Sequence, residues 1–254
     1  MEWCYAAASV VGLSHIRTGT RLQDAKHCFV ASGTDGRRVL FAVVADGAGS
    51  ANFGGQGASI ICRTLASQAR SALRDAAELP DDETIWTWLD IARDRIQRAA
   101  KKRELTSRDF ATTLVLFMAS PEAVVTAHIG DGAIVVRDRD NALWRVLSKP
   151  HHGEYASTTY FVTDDPQPTL RIGRCPNQFN AIAVFSDGIE NLVLDSVTGA
   201  ASAAFFTPMA KPLDTSTATG RDCALSRSLA SFLASDRLNE RTDDDKTLIV
   251  AVLK

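Results

Sequence analysis

Three apolar runs in this chain each stop at the same dipeptide. Val43-Val44-Ala45 meets Asp46-Gly47, His128-Ile129-Gly130 meets Asp131-Gly132, and Val184-Phe185-Ser186 meets Asp187-Gly188. A fourth acidic group, Asp243-Asp244-Asp245, comes in the reverse order, just ahead of the terminal apolar run 248–253. Runs this apolar read as buried strands, which places carboxylates at the ends of core strands. Gathered there, the carboxylates repel one another, and burying them without a counter-charge is costly. A divalent cation with oxygen ligands neutralises several at once. One Asp-Gly alone is most simply a turn. Three of them after apolar runs, joined by an acidic group before a strand, propose a metal site.

The bulk numbers remove other classes of function. With 254 residues the chain has room for one large domain or two small ones. No linker, repeat or low-complexity tract divides it, so a single domain over 1–254 is expected. Hydrophobic content of 45% and charged content of 23% are those of a soluble globular protein. A formal net charge of -2 supplies no basic field for nucleic acid. The basic run Lys101-Lys102-Arg103 suits the end of a predicted helix. The five cysteines are scattered and odd in number, which argues against a disulfide framework and for a reducing, cytoplasmic setting. The apolar stretch 6–13 has no basic segment before it and reads as a first strand, not a signal peptide. No run is long enough to span a bilayer. A monomer with no membrane partner is the expectation.

Along the chain, short strands are expected at 5–12, 28–31 and 38–45, with a polar loop over 14–24. Two long helices follow, one from 54–57 to about 78 and one after an Asp81-Asp82 cap. In the second, Ile85, Trp88, Leu89, Ala92 and Ile96 share one face and mark a core stripe. The period then changes to that of an antiparallel meander over 111–118, 123–129, 133–137 and 142–147. The stretch 149–178 is loop-rich, with short strands at 158–163 and 170–172. A strand at 181–185, helical segments at 189–210 and 221–234, a loop at 214–220 and the final strand complete the order. Strands, a helix pair, strands, helices and a strand make an α+β arrangement.

These landmarks, in this order, resemble the metal-dependent protein phosphatases, the type 2C serine/threonine family, in their bacterial branch. The elements are Gln23-Asp24, Val44-Ala45-Asp46-Gly47-Ala48-Gly49, Ala111-Thr112-Thr113, Ile129-Gly130-Asp131-Gly132, Phe185-Ser186-Asp187-Gly188 and Asp244-Asp245-Lys246-Thr247. The resemblance implies a central antiparallel β-sandwich flanked on both faces by helix pairs, four layers in α-β-β-α order. It implies hydrolysis of phosphoserine and phosphothreonine in proteins at a centre of two manganese or magnesium ions, and a partner kinase whose work is reversed. Carried over by position, Asp46 bridges both ions and the Gly47 carbonyl faces one of them. Asp187 and Asp244 ligate the ion on the other side, Asp24 acts through water, and Asp131 helps hold a third ion. Two hard cations about 3.5–4 Å apart lower the pKa of a shared water and aim it at phosphorus.

Two family features are missing. Gly19 occupies the position of the phosphate-gripping arginine, and Ala48 that of a proton-donating histidine. Arg17 or Arg21 is expected to replace the first, since an Arg fork suits phosphate oxygens, and His15 the second. The segment around Glu154 is read as a substrate flap or a plain connection. His151 and His152, as neighbours on an extended chain, are not expected to ligate one ion together. The competing reading is a catalytically silent pseudophosphatase that binds phosphoproteins or a kinase as a scaffold. A metal nuclease has little support from the charge balance.

Overall fold

The computed structural model describes residues 2–34, 36–74, 77–151 and 159–254. The chain opens with β1 (Trp3–Val10), a short helix α1 (Leu13–Thr18), and the hairpin of β2 (Ala25–Ser32) and β3 (Arg38–Ala45). Two long helices follow, α2 (Gly54–Ala72) and α3 (Asp82–Lys101), the latter capped by the Asp81 carboxylate accepting from Thr84 N. Six strands come next: β4 (Leu114–Ala119), β5 (Ala123–Ile129), β6 (Ala133–Asp138), β7 (Trp144–Ser148), β8 (Arg171–Pro176) and β9 (Phe179–Phe185). A turn of 3-10 helix at Asp187–Ile189 runs into α4 (Glu190–Val193). The chain ends with α5 (Ala203–Thr215), β10 (Gly220–Arg221), α6 (Cys223–Leu233), α7 (Asp236–Asn239) and β11 (Lys246–Leu253).

The strands form two sheets, ordered β10-β1-β11-β9-β6-β7 and β2-β3-β4-β5-β8. All pairings are antiparallel except the two-residue match of β10 with β1. Alternation along β3 shows why its run is apolar throughout. Leu40, Ala42 and Val44 face the other sheet, meeting Ile134, Ile182 and Ile249. Val39, Phe41 and Val43 face the opposite way, into Ile61, Leu65 and Leu89 of α2 and α3. On the far side Ala183, Phe185 and Val250 pack under Phe206, Leu213, Leu229 and Leu233. Strands buried on both faces have no position for a polar residue until they end. The result is the expected four-layer α-β-β-α sandwich, and the stripe Ile85, Trp88, Leu89, Ala92 and Ile96 is buried as read.

Several details differ from the sequence reading. The polar segment after β1 is not all loop: Leu13–Thr18 is helical and stops at Gly19, whose φ of 71° and N–H to the His15 and Ile16 carbonyls form a left-handed cap. The expected meander is divided between the sheets, because the chain leaves one sheet after β5 and joins the other at β6. The helix expected over 189–210 is interrupted between Val193 and Ala203, and α5 then continues to Thr215, taking the first two residues of the loop expected at 214–220. The first long helix ends at Ala72, short of the expected residue 78. The strand near 170 extends to Pro176 because it pairs with β5 from Ala123 to His128. Of the strand expected at 158–163, residue 158 lies outside the described residues, and 160–163 are not strand. Glu154 and His152 also lie outside the described residues.

For function the consequence is positional. β3, β5, β9 and the approach to β11 all reach one edge of the sandwich, and their ends carry Asp46, Asp131, Asp187 and Asp244.

Candidate metal centre

A cleft of about 220 Å³ opens at that edge, and Asp46, Asp131, Asp187 and Asp244 all line it, together with His15, Gly47 and Ala48. The Asp46 peptide is pinned from both sides. Its N–H donates to Thr113 Oγ1 at 3.0 Å, and its carbonyl accepts from Thr113 N at 2.8 Å and from Thr112 Oγ1 at 2.7 Å. That is the structural use of Thr112-Thr113. Gly47 follows because a Cβ there would overlap the backbone of Gly54 and Gly55 at the start of α2. Gly188 is required likewise, since its Cβ would collide with the Asp245 carbonyl. These Asp-Gly pairs are therefore close-packing devices that hold a carboxylate at a strand end, not hairpin turns.

Asp24 lies behind Asp46. It is buried and accepts from Ser186 Oγ at 2.8 Å. Burial pushes Asp24 up to about 6. Burial, then repulsion from Asp24, Asp187 and Asp244, raises Asp46 well above the usual carboxylate range. Asp187 is pushed up to about 8 by burial and then by Asp131 and Asp244. Burial also raises Asp244. The Oδ1 atoms of Asp24, Asp131 and Asp187 are buried without a hydrogen-bond partner. Such atoms are costly unless a ligand satisfies them.

The donor set fits hard cations: carboxylate and carbonyl oxygens, with no thiolate. Among the described residues no group of three or more His, Cys, Asp or Glu side chains is arranged to hold a metal ion. A larger cavity of about 450 Å³ lies beside α3, lined by Asp90, Arg93, Asp94 and Asp165. It is a weaker candidate, since Arg93 already bonds the Asp164 carbonyl at 3.0 Å and stands 3.6 Å from Asp165.

Two residues near the cleft escaped the sequence reading. Asp245 is buried, and its carboxylate accepts from Gly12 N at 2.7 Å and Gln23 N at 2.6 Å, clamping both ends of the segment that carries α1. His15 Nδ1 lies 3.0 Å from Asp245 Oδ1, close enough for an ion pair but off the line of a hydrogen bond. Lys246, fully buried, donates to Asn239 Oδ1 at 3.0 Å and to the Asp244 carbonyl at 3.1 Å. The only sequence signal for either was the charge pair Asp245-Lys246 directly before an apolar strand.

The other predicted residues are placed as follows. His15 is in the cleft, three residues into the chain segment held by Asp245. Arg17 is exposed and bonds Asp243 at 3.4 Å, outside the cleft lining. Arg21 is exposed and also outside it. All five cysteines are free thiols, and no helix of the described residues is long and apolar enough to cross a membrane.

Comparison with known proteins agrees with this geometry. The family profile described as Protein phosphatase 2C matches residues 11–234. "Serine/threonine-protein phosphatase 3" of Escherichia coli (strain K12) is 36% identical over 254 residues, covering 99% of each chain. Among solved structures, the serine/threonine phosphatase Stp1 from Staphylococcus aureus superposes with a TM-score of 0.65 at 15% identity, over 98% of this chain and 94% of that one. PppA from Pseudomonas aeruginosa gives a TM-score of 0.63 at 20% identity, over 99% and 98%. The structural matches carry the fold alone; with the profile and the E. coli relative added, the chain belongs to the protein phosphatase 2C family.

Proposed function

We propose that this chain hydrolyses phosphoserine and phosphothreonine in proteins at the Asp46, Asp131, Asp187 and Asp244 cleft, with manganese or magnesium as cofactor. The observation that carries the reading is the set of carboxylates lining one cleft at the ends of four core segments, of which Asp46, Asp187 and Asp244 are raised in pKa by burial and neighbouring carboxylates. In this reading Asp46, the Gly47 carbonyl, Asp187 and Asp244 would hold the ions, with Asp24 and Asp131 contributing beside them. When bound, such ions supply positive charge against the phosphoryl oxygens and lower the pKa of attacking water.

The chain's own residues supply the rest. Thr112 and Thr113 fix the Asp46 backbone, so its carboxylate needs no reorganisation on binding cations. His15 replaces the histidine lost at Ala48: it lines the cleft, and Asp245 holds the segment it stands on. It gives a proton to the departing serine or threonine oxygen. Nothing in the geometry supports the phosphate grip expected of Arg17 or Arg21. The substrate is a phosphorylated protein, and the physiological counterpart is a serine/threonine kinase acting on the same protein.

A turnover assay on a phosphothreonine peptide, with manganese and with chelator, tests the reading. Phosphate release that depends on manganese is expected. Absence of turnover with either metal would leave the silent scaffold, which no observation of the cleft favours.

A further inference from the structure

Behind Asp24, on the side away from the cleft, a second cavity of about 260 Å³ opens between β2 and α2. Its polar lining is Ser9, Asp24, Lys26, His27, Ser59 and Arg63. Asp24 is the one acid among these residues; its Oδ2 accepts from Ser186 Oγ at 2.8 Å, and its charge favours the charged form of Lys26. Among the described residues none of Lys26, His27 and Arg63 stands within salt-bridge distance of a carboxylate. Lys26 donates instead to Ser9 Oγ at 3.0 Å, and Thr247 Oγ1 meets the same oxygen at 2.6 Å. Lys26 is thus held in place by a neutral hydroxyl, which fixes its direction, while Arg63 and the His27 ring complete the lining.

We infer that this cavity is an anion site for a phosphate-class group, separate from the metal cleft. Its volume admits a phosphate group but not a folded protein element. A guanidinium, an ammonium, an imidazole and two hydroxyls around one space suit a tetrahedral dianion, whose several oxygens can each take a donor. A single carboxylate or chloride would leave most of those donors unused. Two sources share this chemistry: a second phosphorylated side chain on the protein substrate, and free inorganic phosphate. The site does not depend on the hydrolytic reading of the cleft, since none of its cationic residues takes part in it.

The test uses the full chain, stripped of metal with chelator so that the carboxylate cleft repels anions. Inorganic phosphate is titrated calorimetrically, followed by a phosphoserine peptide and its unphosphorylated form. Saturable binding of one phosphate per chain is expected, weakened about tenfold by Arg63→Gln, the scale of one charge-assisted hydrogen bond. Lys26→Met should weaken it similarly, whereas Asp187→Asn on the cleft side should leave it within about twofold. Because Arg63 is exposed, its substitution does not threaten the fold. A phosphopeptide that binds more tightly than phosphate assigns the site to substrate; equal affinities assign it to the free ion. No saturable binding up to about 20 mM phosphate, or binding indifferent to Arg63→Gln, overturns the inference.

Discussion

Asp24 separates two pockets of opposite character. In front of it, four further carboxylates line a cleft with no lysine or arginine among its walls. Behind it, Lys26, His27 and Arg63 line a cavity in which Asp24 is the one acid among the described residues. The groups are near enough to neutralise one another, yet a layer of hydroxyls, Ser9, Thr247 and Ser186, lies between them. Like charges held apart from their opposites cost folding free energy. The fold maintains that separation at the one edge where two sheets end together. On the two proposals made above, charge more than cavity size marks where this molecule meets its ligands, with cations in front and anions behind.

The strongest way to break the comparison is to remove a carboxylate from the front. Asp46→Asn is expected to reduce kcat/KM at least about 100-fold, since even groups that merely orient metal ligands cost 10–100-fold when lost. Activity within a few-fold of the parent, measured with a manganese-saturated phosphopeptide assay, would contradict the assignment of Asp46.

The next effect is on stability. A carboxylate whose folded pKa is raised binds protons that the unfolded chain has already released. Its contribution is therefore complete below pH 4 and is lost as pH rises through about 6 for Asp24 and about 8 for Asp187. Each such proton is worth about 1.4 kcal/mol per pH unit within its window. His128, held neutral by burial with its pKa down at about 3, acts in the opposite direction, costing stability as pH falls from 6.5 towards 3. The several carboxylates outweigh one histidine, so denaturant unfolding of metal-free protein should show stability falling from pH 5 to pH 8. Manganese at 100 times its Kd should restore about 2.7 kcal/mol at the alkaline end. A metal-free profile that rises with pH would show that the carboxylates are compensated after all.

Smaller effects sharpen the account of His15. Loss of a general acid typically costs 10²–10⁴, so His15→Gln should lower kcat about 100-fold with KM little changed. Asp245→Asn keeps an acceptor for Gly12 or Gln23 but loses the charge beside His15, and should cost about tenfold in kcat. Smallest of all is Arg17→Ala: its exposed pair with Asp243 is worth no more than about 1 kcal/mol, and KM should rise less than about threefold. A tenfold rise in KM would restore the phosphate-gripping role read from the sequence.

What was legible from the sequence was whatever periodicity and strand ends record. β3 was read to the residue, as was the buried stripe of α3, because each repeats one environment at a fixed spacing. The Asp-Gly carboxylates were legible because they interrupt apolar runs. Sheet membership was not, since nothing local to Gly130-Asp131-Gly132 says that β6 pairs with β9 instead of returning to β5. Helix α1 was missed because six residues give barely two turns of pattern, and its stop signal, Gly19, was read only as an absent arginine. Asp245 was hidden among three consecutive aspartates. The chain bends at Asp244 just before β11, and Asp244 reaches the cleft while Asp245 turns to Gly12 and Gln23. Only the arrival of a segment more than 200 residues earlier in the chain, as the Gly12 and Gln23 contacts show, gives that carboxylate its partners.

The most direct measurement titrates manganese into chelator-treated protein at pH 7, in two buffers of different ionisation enthalpy. Because Asp46 and Asp187 hold protons that a cation must displace, saturable binding with proton release is predicted, and Asp46→Asn should diminish both. Binding with no proton release, or no binding at all, would contradict a buried carboxylate cluster waiting for a metal.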